Sequence, residues 1–189
     1  LGLSGYLYEI AVLNIGRVYE KLGNWLHVTA PYRPIFAFLL ILPIGFYFPH
    51  LLGGGHHLVL DLAHIPHSVQ TLFLYFAIRF IWSMISYGSG LPGGIFLPIL
   101  ALGSVLGALV AAVLLQLGLI QPNQLPLFVI LGMSGYFSAI SKAPLTAMIL
   151  VTEMVGDIRT LMPIGLVTLT AYITMDLVKG APVYEAMLE

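Results

Sequence analysis

Cysteine is absent from the 189 residues, so the chain has no disulfide and no thiolate chemistry. Charge is scarce too: 8% of the residues are Asp, Glu, Lys or Arg, against about 25% in soluble domains. A formal net charge of -1 leaves no excess of basic residues, which argues against nucleic acid as a partner. No secretory signal is visible and the first residue is Leu1 rather than Met, so the sequence predicts a piece of a longer protein.

Apolar residues dominate what is present. They make up 59% of the chain, and the mean hydropathy is +1.00. This composition predicts an all-α integral membrane protein, embedded in a cell membrane and crossing it several times. The apolar segments occupy residues 1–15, 34–48, 70–87, 99–117, 127–140, 144–156 and a last one that ends near Val178.

Residues 88–98 form an uncharged connection between two of these segments. Gly93 and Gly94 allow the backbone a sharp turn and a close approach to another group. Pro98 suits the first turn of a helix, where a missing N–H costs nothing. We therefore predict that a helix begins just before Pro98 and continues through residues 99–117.

The N–H groups of Ile95, Phe96 and Leu97 would be free donors at the start of that helix. They would lie at the positive end of the helix dipole, which favours an anion. Such an end offers partial positive charge without a Lys or Arg that would hold the anion too tightly for it to move on. The alternative interpretation is a glycine hinge between two transmembrane helices, where Gly and Pro are frequent.

His56, His57, His64 and His67, with Asp61 among them, form one cluster that resembles a metal site. A helix would align several of these side chains, so a metal or proton site is one interpretation. Their spacing matches no established zinc pattern. The other interpretation is a polar loop outside the membrane, with its histidines near lipid headgroups.

Three further features concern packing within the membrane. Glu9 and Arg79 each stand in an otherwise apolar segment, and burial of a charge is costly. We predict that Arg79 is paired or bonds the carbonyl groups of a helix end, in a structural role. Gly103 and Gly107 stand four residues apart and predict a surface on which another helix packs closely.

The late apolar segments are short. Residues 127–140 would span roughly 21 Å as a helix, which is less than the roughly 30 Å hydrocarbon core. A second short run begins at Pro144 and ends near Gly156. These lengths predict two broken or tilted helices. Asp157 or Thr160 would cap the final segment.

Three motifs in this order resemble the CLC family of chloride channels and proton-coupled anion transporters. Residues 89–98 are similar to the family's Gly-x-Phe-x-Pro anion-binding motif, and residues 142–154 are similar to its pair of short late helices. Residues 180–184 resemble its Gly-x-Pro-x-Tyr, whose tyrosine hydroxyl touches the central anion. The resemblance covers residues 1–189 as the C-terminal half of a CLC membrane domain.

The resemblance implies the CLC fold of tilted and broken helices, of which this chain would be the second inverted repeat. The first repeat, which the function requires, would lie outside the chain. A homodimer in membrane lipid with one pore per subunit is implied as well. Leu145 and Leu161 would face the partner subunit, and Glu153 would be structural rather than a proton relay.

The resemblance also implies an anion site. Ile95 and Phe96 would donate backbone N–H groups to the anion, and Tyr184 would donate its hydroxyl. A tyrosine offers one directed donor without a full charge, although Tyr184 alone would equally suit an aromatic anchor at the membrane interface. The residues that would support the anion-binding loop are Gly93, Gly94 and Pro98.

The implied function is transport of chloride-like anions, with proton-coupled chloride antiport as the main prediction. Chloride would be the bound substrate ion, and neither a cofactor nor an enzymatic activity is expected. The family's Gly-Lys/Arg-Glu-Gly-Pro stretch, whose glutamate gates the pore, is absent from this sequence. A passive chloride channel and a fluoride/proton antiporter of the same family therefore stay open as alternatives.

Two interpretations from other classes remain. An unrelated secondary transporter for organic anions would use the same helix-end chemistry with a larger polar pocket. A membrane-embedded enzyme built around the histidine cluster would need a bound metal.

Overall fold

The computed structural model of the chain describes residues 1–25, 54–88, 94–180, 182 and 183, with single helical positions at 35, 39, 42, 43 and 45–47. These residues form helices and connections, with no strand among them, so the all-α prediction is confirmed for this part of the chain. Its α-helices are α1 (Gly2–Trp25), α2 (His56–His64), α3 (Val69–Gly88), α4 (Phe96–Gln116), α5 (Leu125–Ser141), α6 (Pro144–Val155) and α7 (Leu161–Leu177).

Four helical stretches in the described segments are long and apolar enough to cross a membrane. They are Val69–Tyr87, Phe96–Gln116, Pro122–Ser141 and Ile158–Leu177. The stretch in α4 has the highest mean hydropathy, 2.4, and much of it is buried inside the chain. Because lipid cannot satisfy backbone polar groups, helices of this length are a stable form for such sequences in the bilayer.

Helices α4 and α5 pack backbone against backbone at the centre of the fold. A Cβ atom placed on Gly103 would lie 2.6 Å from the carbonyl oxygen of Gly132, and one on Gly132 would lie 2.6 Å from the Cα of Gly107. Gly103 and Gly107 thus form the close-packing surface that their spacing predicts. Its partner is Gly132 and the neighbouring backbone of α5, which the sequence alone does not identify.

We expect Gly107→Ala to destabilise the protein by about 1–3 kcal/mol, because the added methyl group overlaps the carbonyl oxygen of Phe128 and a backbone atom cannot step aside. Thermal unfolding in detergent, followed by fluorescence-detected size exclusion, measures the loss. Gly16→Ala is the matched control, since a Cβ on Gly16 meets no atom within 4 Å. Equal melting temperatures for the two variants would contradict this packing.

The predicted half-length helix at residues 127–140 is wrong. A 3₁₀ turn (Pro122–Gln124) leads directly into α5, and the continuous helical stretch Pro122–Ser141 has 20 residues, enough for about 30 Å. The polar residues that suggest a break cap the turn instead, since the N–H of Gln121 donates to Oε1 of Gln124 at 3.1 Å. The second short helix is confirmed, because α6 has 12 residues.

The break between α5 and α6 follows from local chemistry. Lys142 has a left-handed backbone with φ 51°, and Pro144 then occupies the start of α6, where its missing N–H is harmless. Nζ of Lys142 donates to Oδ1 of Asp176 at 2.9 Å, which ties the break to α7. Asp157 accepts a hydrogen bond from the N–H of Arg159 at 2.9 Å. It thereby caps the 3₁₀ turn ahead of α7.

Candidate anion site

The start of α4 presents backbone donors at a helix end whose N-cap residue, Ile95, is buried. Ile95 is the N-cap residue, and its carbonyl group accepts from the N–H of Ile99 at 3.1 Å. The N–H groups of Ile95, Phe96 and Leu97 precede the first intrahelical bond, and Pro98 has none to give. Among the described residues, no side chain caps this end. The helix dipole therefore leaves partial positive charge there.

Apolar contacts hold this helix end in place. The Ile95 side chain is 7% exposed, and the ring of Phe96 packs edge-on against Phe137 of α5, with ring centroids 5.2 Å apart. Gly94, just before the N-cap, is exposed, and a Cβ on it would meet no atom of the described residues within 4 Å. Within the described residues, the backbone is thus exposed at Gly94, while the side chains of Ile95 and Phe96 pack into the core.

The beginning of α2 packs on the first turns of α4. A Cβ on Gly54 would lie 3.0 Å from Cδ1 of Leu97, and one on Gly55 would lie 2.5 Å from the Cβ of Ala101. Arg79 of α3 is 3% exposed, and its guanidinium group lies against Gly55. This placement agrees with the predicted structural role of Arg79 and brings a buried cation next to the start of α2.

The histidines of the cluster lie in α2 and in the residues that follow it. Nδ1 of His64 lies 2.8 Å from the carbonyl oxygen of Leu60, and Nδ1 of His67 lies 2.8 Å from that of Ile65. Across the segments that the structure describes, no three His, Asp or Glu side chains come together as ligands of one metal ion. The geometry therefore gives the histidine-based enzyme hypothesis no support.

The chain turns sharply after α7. Lys179 has φ 56°, and the N–H of Gly180 donates to the carbonyl oxygen of Met175 at 3.1 Å, which closes the helix with a Schellman motif. The predicted end near Val178 is confirmed. Val183 is buried in the same apolar core as Ile95. The turn therefore directs the chain back into the core that supports the start of α4.

The predicted site residues divide into two groups. Gly94, Ile95, Phe96 and Pro98 lie together at the start of α4. Gly93 and Tyr184 lie outside the described residues, so their roles stay predictions.

Sequence reasoning missed one contact near this region. Glu9 of α1 is 5% exposed, and its Oε2 lies close to Gly180. The signal available in the sequence is a single carboxylate within an apolar run, which marks the residue as unusual but does not identify its neighbour.

The chain is similar to known proteins in both sequence and structure. The sequence profile described as "Voltage gated chloride channel" matches residues 1–176. The H(+)/Cl(-) exchange transporter ClcA of Vibrio vulnificus (strain YJ016) is 38% identical over 157 residues, which is 82% of this chain and 32% of that protein. The same transporter of Vibrio cholerae (El Tor Inaba N16961) is 35% identical over 145 residues, 75% of this chain and 30% of that protein.

A solved structure is similar over nearly the whole chain. It is the X-ray crystal structure of a slow cyanobacterial Cl-/H+ antiporter, with a TM-score of 0.75 and 30% sequence identity. The match covers 99% of this chain and 45% of that one. The chain spans about a third of the length of the curated relatives that it matches.

Proposed function

Since the chain belongs to the voltage gated chloride channel family, and is thus part of a multi-pass membrane protein, we propose that the whole protein exchanges chloride for protons across a cell membrane. The anion is held by the backbone N–H groups of Ile95 and Phe96 and by the hydroxyl of Tyr184. The start of α4 supports this proposal most directly, because its donors stand at a helix end that carries no full charge and whose N-cap side chain, Ile95, is buried.

Mobility of the anion follows from the same geometry. A helix end attracts an anion through partial charges, so binding is favourable but weaker than binding to a Lys or Arg. Gly94 leaves the backbone open on the approach to these donors. A substrate ion that binds here can therefore leave again, as transport requires.

Two parts of the proposal concern partners. The first repeat of the membrane domain supplies the other side of the pore, in keeping with the limited share of the relatives' length that this chain spans. A second subunit covers the exposed apolar residues of α6 and α7, among them Leu145 at 66% and Met162 at 76% exposure. Leu161, which the resemblance assigns with its neighbours to the same interface, is half-buried within this chain, and its neighbour Met162 is exposed.

Coupling to protons is favoured by the relatives, which are named exchange transporters or antiporters rather than enzymes. A passive chloride channel is the second candidate, because the family's description names a channel. Both functions use the same anion site and differ in proton movement. A fluoride/proton antiporter is distinguished by the anion that moves.

The test is a flux measurement on the full-length protein in liposomes. Under an outward chloride gradient, we expect chloride efflux together with proton movement in the opposite direction, recorded by a chloride electrode and an external pH electrode. Chloride efflux without proton movement would replace the antiporter by a channel. Movement of fluoride but not chloride would overturn the substrate, and no movement of any small anion by folded protein would overturn the proposal.

A further inference from the structure

Phe137 of α5 is a buried aromatic residue that contacts the candidate anion site directly. Its side chain is 5% exposed, and its ring packs against that of Phe96 with the centroids 5.2 Å apart and the planes at 86°. Phe96 is the first residue of α4, and its backbone N–H is one of the proposed anion donors. The ring contact therefore joins α5 to a residue that carries a donor.

The glycine contact between α4 and α5 lies farther along α4. Gly103 and Gly107 follow Phe96 by seven and eleven residues, so they are roughly 10 and 16 Å away from it along the helix axis. Phe96 lies in the first turn, where its side chain is half-buried. Its contact with Phe137 is thus a second connection between the two helices, and this one is placed at the donor end.

Phe137 itself stands on a part of α5 that is fastened to α7. The hydroxyl group of Ser138, the next residue, donates to the carbonyl oxygen of Thr168 at 2.8 Å, and both side chains are buried. Just beyond the end of α5, Nζ of Lys142 donates to Oδ1 of Asp176 at 2.9 Å. A buried hydrogen bond and an ion pair thus hold this end of α5, and Phe137 with it.

We propose that Phe137 is a positioning residue for the anion site: its ring holds that of Phe96 and thereby fixes the direction in which the N–H groups at the start of α4 point. The inference rests on the proposed role of these N–H groups as anion donors. Phe137 acts through Phe96 rather than on the anion itself. Replacing Phe137 therefore lowers the affinity for chloride without removing any donor.

The chloride affinity of the full-length protein, measured by isothermal titration calorimetry in detergent, tests this role. Phe137→Leu keeps an apolar side chain but removes the ring. We expect it to weaken chloride binding about threefold to tenfold, the range that the loss of one aromatic pair can supply. Phe96→Leu keeps the backbone donor and removes the same pair, so we expect a similar loss. The double variant binds chloride as either single variant does, because both changes remove one contact.

Two further variants separate positioning from a general loss of packing. Phe76→Leu removes the ring contact between Phe76 and Phe80 of α3, whose centroids are 5.9 Å apart beside the same core. We expect it to lower the melting temperature as Phe137→Leu does but to leave chloride affinity unchanged. Phe96→Tyr keeps the ring at a half-buried position, and its affinity stays within about twofold of the native value. Phe96→Leu covers the case in which Phe137→Leu does not fold.

The titrations distinguish failure of this inference from failure of the anion site. Unchanged affinity in folded Phe137→Leu and Phe96→Leu would overturn the positioning role while the proposed donors survive. Losses that multiply in the double variant would mean that the two rings act independently, and an equal loss in Phe76→Leu would reduce the effect to general packing. Native affinity in a folded Gly94→Val variant would instead remove the start of α4 as the anion site, and the positioning role with it.

Discussion

Gly94→Val is expected to reduce chloride flux to the level of protein-free liposomes while leaving the protein folded. In the structure, Gly94 precedes the N-cap of α4, and a Cβ on it would meet no atom within 4 Å. A valine there costs little in packing within the described part of the chain. Its branched side chain instead fills space beside the N–H groups of Ile95 and Phe96, which an anion must reach closely.

The control for this variant is Gly16→Val. Gly16 also has no atom within 4 Å of a built Cβ, but it lies in α1. Both variants should elute as the native species on size exclusion, and Gly16→Val should transport chloride normally. Normal chloride flux through a folded Gly94→Val variant would remove the start of α4 from the anion pathway.

Gly55→Ala is expected to cause the largest loss of folded protein. Gly55 has φ 83°, where a residue with a side chain costs about 1–2 kcal/mol. The added methyl group also overlaps the guanidinium group of Arg79 and lies 2.5 Å from the Cβ of Ala101. The Cβ of Ala101 cannot move without its backbone, and overpacking of this kind costs about 1–3 kcal/mol more. Size exclusion of detergent-extracted protein should show aggregate in place of the native peak.

Gly156→Ala separates the cost of a positive φ from the cost of steric overlap. Gly156 has φ 71°, but a Cβ on it meets no atom within 4 Å. We expect this variant to remain folded with a moderately lower melting temperature. If Gly55→Ala behaved like Gly156→Ala, Arg79 and Ala101 would not constrain the start of α2.

The ends of the helices are the part of the fold that the sequence predicts well. Pro98, Pro144 and the turn at Gly180 act through local geometry, since each depends on the backbone preferences of one or two residues. The predicted start of α4 is correct for this reason, and Ile95 and Phe96 stand at that start; their role as anion donors stays a prediction. The resemblance of three motifs correctly identified the family, which the profile over residues 1–176 shows.

Contacts between distant segments could not be predicted in the same way. The spacing of Gly103 and Gly107 predicts that a helix packs on α4. It does not identify that helix, because several helices of this chain are equally apolar. The contact with Gly132 of α5 is therefore known only from the folded structure. The contact between Glu9 and Gly180 joins the two ends of the chain and leaves no periodic signal. The length of α5 was underestimated because polar residues were interpreted as a break, whereas they cap its first turn.

The glycine contact between α4 and α5 limits how the two helices can move. Side chains can change rotamer and let two helices slide, but a contact made by backbone atoms offers no such adjustment. A shift of the Ile95 end of α4 must therefore be shared by α5, as a tilt of both helices together. The two helices move as one rigid unit, and the backbone N–H groups of Ile95 and Phe96 lie at one end of it.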